Sequence, residues 1–164
     1  MISMIRIDDR LIHGQVAFVW TKFLGVNRII VANDKIVNNE VQKISLQMAT
    51  PDTAKCSILS VDDTIQVLND PRAESLKILV ITNNPTDVRR IVEKVSNVPL
   101  VNVANYGRIA TNLSSKKKLC DTVYVTDQDI VEFEKIIASG IKTEYQVVPT
   151  NNAKPMYDLL KSYK

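Results

Sequence analysis

The chain has 164 residues, 45% hydrophobic and 24% charged, a balance that suits a soluble globular protein and leaves length for one domain, residues 1–164, with one sizeable core. A formal charge of +3 offers no concentrated basic stripe, so nucleic acid is not an expected partner. No apolar run approaches the ~20 residues that cross a bilayer, and "MISMIRIDD" turns acidic too early for a signal peptide, so the expected location is cytoplasmic.

In chain order, Ile2–Asp8 reads as a first strand, and Val16, Val19, Trp20 and Phe23 as the apolar stripe of a helix after it. A strand at Arg28–Ala32 precedes a second helical pattern at Val37, Val41, Ile44 and Met48. After a strand at Lys55–Leu59, Ser60 with Asp63 has the form of a helix N-cap with an acidic first turn. A strand at 77–81 leads into a helix carrying Val88, Ile91, Val92 and Val95. Strands are predicted at 100–103 and 122–125, and Thr126 with Asp129 caps a helix carrying Ile130, Phe133 and Ile137 that Gly140 closes. A last strand at 145–148 and a helix around 156–160 finish the chain. Most strand candidates are continuous and rich in Val and Ile, as strands covered on both faces are. The alternation predicts an α/β fold: a doubly wound, mainly parallel sheet of about six or seven strands with helices on both faces, the last short strand free to run antiparallel.

Functional residues of such sheets lie in loops at the C-terminal ends of strands, and residues 8–14 form one of those loops. It contains His13, the only histidine in the chain. His13 precedes a helix whose first N–H groups are free to bind an anion, and Gly14 and Gln15 stand at that N-terminus as candidate phosphate-binding residues. Gly14 has no side chain to keep a bound group away from the backbone. Arg10 supplies a planar fork suited to phosphate. A neutral imidazole is a competent nucleophile near pH 7, so the loop is a candidate site for a covalent phosphohistidine. Asp8 and Asp9 admit two readings: one carboxylate fixes the ring tautomer of His13, or one caps the loop while the other faces water.

Other features are less specific. Lys116, Lys117 and Lys118 with Arg108 make a possible basic patch for an acidic partner, and Arg89-Arg90 has the same status. Asn83 and Asn84 either line the cleft beside His13 or start a turn before Pro85. Cys56 and Cys120 lie far apart with no nearby histidine, which reads as buried free thiols and neither zinc nor disulfide. A receiver domain would need an aspartate at the end of the third strand, where this chain has Ser60; a dinucleotide-binding turn would need more glycine than Gly14 alone. A non-catalytic domain that senses a sugar phosphate or other anion and regulates a partner stays open, since it would use Arg10 and the helix N-terminus without a nucleophile.

The stretch "RIDDRLIHGQV", residues 6–16, closely resembles the signature of the IIB subunit of the mannose/fructose/sorbose family of the bacterial sugar phosphotransferase system. Weaker matches follow in order: the strand after "GV", the "AND" beyond it, "QMATP", "VNV" at 101–103 and "VP" at 148–149. The resemblance implies a phosphocarrier enzyme that takes a phosphoryl group from a phosphohistidine of a IIA partner and passes it to a hexose or amino sugar entering through membrane subunits IIC and IID. It places His13 at the phosphorylated position, through Nδ1, and Arg10 at the arginine that stabilises the phosphoryl group. It implies no metal, nucleotide or other cofactor in these steps, and peripheral membrane association through IIC and IID. A homo-oligomer remains open, as do mannose, fructose, sorbose and N-acetylgalactosamine as the sugar. One departure is "VANYGRIAT" after the "VNV" strand, where members of the family often carry a glycine-rich stretch.

Overall fold

A computed structural model describes residues 1–108 and 115–162. Its elements in chain order are β1 (Ile2–Asp8), α1 (Gly14–Leu24), β2 (Arg28–Ala32), α2 (Glu40–Met48), β3 (Lys55–Leu59), α3 (Val61–Asn69), β4 (Ile78–Thr82), α4 (Pro85–Val92) and β5 (Val101–Asn105). There follow β6 (Lys117–Cys120), β7 (Val123–Val125), α5 (Asp127–Ala138), β8 (Thr143–Tyr145), β9 (Lys154–Pro155) and α6 (Met156–Lys161). Seven strands form one sheet in the order β3-β2-β4-β1-β5-β8-β9, parallel except for the β8–β9 pair.

Two apolar clusters show how the helices divide between the faces. Met4, Ile29, Val31, Leu79 and Ile81 pack with Ala17 and Trp20 of α1 and Leu46 of α2. Ile5, Ile7, Val80, Val101 and Val103 pack with residues of α3, α4, α5 and α6, among them Val61, Ile91, Phe133 and Met156. Strand side chains alternate, so Met4 meets one cluster while Ile5 meets the other. The doubly wound sheet with helices on both faces is the architecture the sequence pattern predicts. Because β1 is followed by a helix on one face and its neighbour β4 by a helix on the other, a crevice opens at the C-terminal ends of β1, β4 and β5.

Helix ends follow local chemistry. Asn39, Ser60, Asn84 and Thr126 each accept a hydrogen bond from the backbone two or three residues into α2, α3, α4 and α5, and Thr126 with Asp129 completes a capping box.

Four predictions are corrected. The stretch 122–125 is not in the main sheet: β7 pairs antiparallel with β6 across a short turn, and β6, with Lys117 and Lys118 exposed, carries too little apolar signal to be seen in sequence. The last predicted strand falls earlier, at Thr143–Tyr145, and runs parallel to β5. The carbonyls of Gln146 and Val147 beyond it accept from side chains, which ends the ladder there. On α1 and α2, the apolar stripes lie largely outward: Phe23 is 66% exposed, Val41 78% and Met48 82%, while Ala17, Trp20 and Leu46 face the core. Periodicity finds an apolar stripe but does not say what faces it. Cys56 and Cys120 are free but only half-buried.

The turn after β5 is held against the β6–β7 hairpin. Tyr106 N–H donates to Thr122 O (2.9 Å) and Tyr124 N–H to Tyr106 O (2.8 Å). Gly107 has φ +83°, and a Cβ there would lie 1.9 Å from Tyr124 O, whereas one on Gly140, at φ +87°, would meet nothing within 4 Å. We therefore expect Gly140→Ala to cost about 1 kcal/mol of conformational strain and Gly107→Ala to cost at least about 2 kcal/mol more, read as urea unfolding midpoints.

Candidate functional site

The site begins beneath the surface, with Arg6. This residue sits in mid-strand between Ile5 and Ile7 and is 2% exposed. Its guanidinium donates to Asp8 Oδ2 (3.1 Å), Asn102 Oδ1 (2.6 Å) and the carbonyl of Val147 (3.1 Å), with a longer contact to that of Gln146 (3.5 Å). It lies 5.4 Å from the ring centroid of Trp20, whose indole N–H also donates to Val147 O (2.9 Å). Burial pushes the Arg6 pKa down from its ordinary value, and Asp8 opposes that shift. One side chain thus ties β1, β5, α1 and the segment after β8 together.

Asp8, wholly buried at the end of β1, carries this order into the histidine loop. Its Oδ2 is bound by Arg6 and by Asn105 Nδ2 (3.3 Å), and its Oδ1 accepts from the N–H of Arg10 (3.1 Å). Its carbonyl accepts from the N–H of Leu11 (2.9 Å). This tight turn holds Leu11 at φ +58°, a region non-glycine residues rarely enter. Leu11 and Ile12 are then buried in the core under α1, 6% and 3% exposed, which anchors the strained backbone. Arg10, Gly14 and Gln15 are left exposed, with His13 half-buried between them.

His13 is the residue immediately before α1, in extended backbone, and caps no helix N–H with its side chain. Gly14, at φ +45°, begins the helix. Both ring nitrogens of His13 are shielded from solvent and have no hydrogen-bond partner among the described residues. His13 borders an open cleft of ≈370 Å³ whose wall includes Asp9, Arg10, Gln42, Ser45 and Asn83. Among the described residues the Arg10 side chain has no ion-pair partner.

Neither Asp8 nor Asp9 bonds to the imidazole, which corrects the reading that one of them fixes its tautomer. Asp9 reaches sideways: its Oδ2 accepts from Gly107 N–H (2.8 Å), and the backbone of Arg108 also donates to it. Burial raises its pKa to about 6, helped by the Asp8 charge and opposed by those backbone donors and by Lys116.

Asn83 and Asn84 fill both roles the sequence left open. Asn84 caps α4, and Asn83 lines the cleft while accepting from Asn33 Nδ2 (3.1 Å). Arg89 and Arg90 are structural: Arg89 pairs with Glu132 of α5 and Glu93, and Arg90 with Asp34, Asp62 and Asp87. In the departing stretch after "VNV", Ala104 is buried and Tyr106 faces α5, where its hydroxyl donates to Asp129 (2.8 Å); residues 109–111 lie outside the described residues. Sequence reasoning missed Arg6, Asn102 and Trp20 as supports of the loop. The available signal was polarity in the wrong place: Arg6 and Asn102 interrupt strands covered on both faces, where a polar side chain must be paired. Among the described residues no cluster of His, Cys, Asp and Glu could hold a metal ion.

Residues 2–164 match the family model described as the PTS system sorbose subfamily IIB component. The chain belongs to this family. It is 39% identical, over 92% of its length and 94% of the relative's, to a probable phosphotransferase enzyme IIB component of Streptococcus pyogenes serotype M6. It is 38% identical to the mannose-specific EIIAB component of Escherichia coli K12, with 98% of this chain aligned to 48% of that longer protein. Among solved structures, the IIB domain of the sorbose permease from Klebsiella pneumoniae superimposes with a TM-score of 0.92 at 30% identity, covering 100% of this chain and 98% of that one. This IIB component is therefore a phosphotransferase of the sugar phosphotransferase system.

Two predictions concern the supports of the loop. Removing Arg6 strands the buried Asp8 carboxylate, so Arg6→Met should cost about 3–5 kcal/mol in urea unfolding, and adding Asp8→Asn should recover part of that loss. The raised Asp9 pKa means that ionising this group opposes folding. The cost is absent below pH 4, where both folded and unfolded forms are protonated, and complete above the folded value of about 6. Asp9→Asn should therefore match the wild type near pH 4 and gain about 1 kcal/mol on it by pH 7.5, a figure reduced for solvent screening at a half-exposed site and read from unfolding curves at both pH values.

Proposed function

We propose that His13 is the phosphoryl carrier of this IIB component. The observation that carries the reading is its pair of ring nitrogens, without a partner among the described residues, at the wall of the cleft beside the C-terminal ends of β1 and β4. A shielded polar atom without a partner costs about 1–3 kcal/mol, so its retention favours a function over a structural role. Arg10, exposed and without an ion pair among the described residues, stands in the same wall to neutralise phosphoryl oxygens, and Gly14 and Gln15 begin the helix beside the ring.

In the first transfer, a lone pair of the neutral imidazole attacks phosphorus on a phosphohistidine of a IIA donor. The new N–P bond forms as the donor's N–P bond breaks, and the donor nitrogen keeps the electron pair. In the second, a hydroxyl oxygen of the sugar attacks phosphorus, the N–P bond of His13 breaks with its electron pair returning to the ring nitrogen, and the hydroxyl proton passes to water. The first partner is supported by the mannose-specific EIIAB relative, whose name joins IIA and IIB in one protein. The sugar would be presented by IIC and IID membrane subunits. Among the described residues no helix is long and apolar enough to cross a membrane. In the proposed reading this chain, residues 1–164 acting as one domain, would meet those subunits from the cytoplasmic side. Partners would approach across α1 and α2, where Phe18, Phe23, Val41, Ile44 and Met48 expose apolar surface beside the cleft wall contributed by Gln42, Ser45 and Ala49. A purely anion-sensing role leaves the unpartnered nucleophile unexplained.

The test is incubation with a phosphorylated IIA donor, followed by intact mass and stability of the adduct to acid and base. The wild type should gain an acid-labile, base-stable phosphoryl group and His13→Gln none. Arg10→Ala should slow single-turnover transfer by about 10²-fold while altering donor affinity little. A wild type that stays unmodified by a competent donor overturns the assignment.

A further inference from the structure

The cleft has a second lobe. Asp9, Arg10, Asn105 and Arg108 enclose an open concavity of ≈280 Å³, and Asp9 and Arg10 also form part of the wall around His13. The two spaces therefore share one wall. Two arginines bordering one concavity repel each other, and among the described residues neither guanidinium has an ion-pair partner. The Asp9 carboxylate between them is engaged with the backbone N–H groups of Gly107 and Arg108. Such a pair of free guanidinium groups matches an anion carrying more than one charge, as a phosphoryl group does near pH 7.

The position of Arg108 is set by several contacts. Asp9 holds its backbone from the histidine loop. Tyr106 is hydrogen-bonded into the hairpin at Thr122 and Tyr124, and Gly107 passes so close to Tyr124 O that only glycine fits. Lys116 bonds to Gly107 O (3.3 Å) and lies over the Tyr106 ring. The β6–β7 hairpin adds no strand to the main sheet, and what it does hold is this turn. The basic run seen in sequence comes apart accordingly. Lys117 pairs with Asp127 and Lys118 with Asp121, which leaves Arg108 alone of that group beside Arg10.

We propose that Arg108 is a second phosphoryl-contacting residue, converging with Arg10 on the group carried by His13. This rests on the assignment of His13 as the carrier. Its role is to bind phosphoryl oxygens as charge redistributes during transfer, with no bond made or broken at the arginine.

The experiment follows arginine side-chain Nε–Hε resonances before and after phosphorylation by the IIA donor, assigned with Arg10→Lys and Arg108→Lys, alongside single-turnover rates. Both resonances should shift in the wild type. Arg108→Gln should slow transfer at saturating donor about tenfold, with the half-saturating donor concentration within about twofold, and Arg108→Lys should restore part of the rate. Arg10→Gln with Arg108→Gln should cost less than the product of the single effects, because the two residues share one group. Unchanged Gly107 and Leu11 amide signals would show each variant intact. A wild type that is phosphorylated while the Arg108 resonance stays fixed, or an Arg108→Gln defect seen only in donor concentration, overturns the proposal and leaves His13 standing. A wild type that takes no phosphoryl group overturns both.

Discussion

The buried Arg6–Asp8 pair is the interaction on which the rest of the site depends. A guanidinium and a carboxylate, 3% and 0% exposed, are 3.1 Å apart inside a mostly apolar sheet. Such a pair is expensive to bury and more expensive to break, because either partner left alone would be an unsatisfied charge. Other donors of Arg6 go to Asn102 and the carbonyl of Val147. The remaining acceptors of Asp8 are taken by Asn105 and the N–H of Arg10. Because each group is satisfied in only this arrangement, the end of β1, the end of β5 and the chain after β8 are locked in register. The histidine loop inherits that rigidity.

The loop divides its residues by direction. Leu11 and Ile12 go into the core, and their burial offsets the strain of a left-handed leucine. Arg10 and His13 border the cleft instead. A relay must bind a phosphoryl group and then give it up, which calls for positioned charge in place of a deep enclosing pocket. In the proposed reading, an open cleft bordered by arginines whose backbone is held at the ends of β1 and β5 meets that demand. The hairpin at residues 117–125 would serve the same end from the other side, by holding the turn that bears Arg108.

Much of the fold was legible because local rules and tertiary packing agree. The strand candidates at Ile2–Asp8, Arg28–Ala32 and Lys55–Leu59 are strands with those same bounds. Thr126 and Asp129 form the cap their spacing predicts. Disagreement arose where the signal depends on a neighbour. The apolar residues of α2 face outward, Leu46 alone being buried, because nothing in the sequence pattern tells which side of an apolar stripe has a neighbour. The run at 145–148 loses its ladder because side chains from β1, β5 and α1 claim its carbonyls.

The short stretch "RIDDRLIHGQV" by itself pointed to the proposed chemistry: a lone imidazole, a neighbouring arginine and a helix start, each a property of residue type and close spacing. What only the tertiary structure decided is the job of each remaining polar residue. Asp8 turned out to face Arg6 and Asp9 to face Gly107, with Asn105 and Gly107 arriving from 97 and 98 positions away in the chain. Such partners are invisible to periodicity, because a parallel sheet brings distant segments side by side through crossovers whose order the local pattern does not encode.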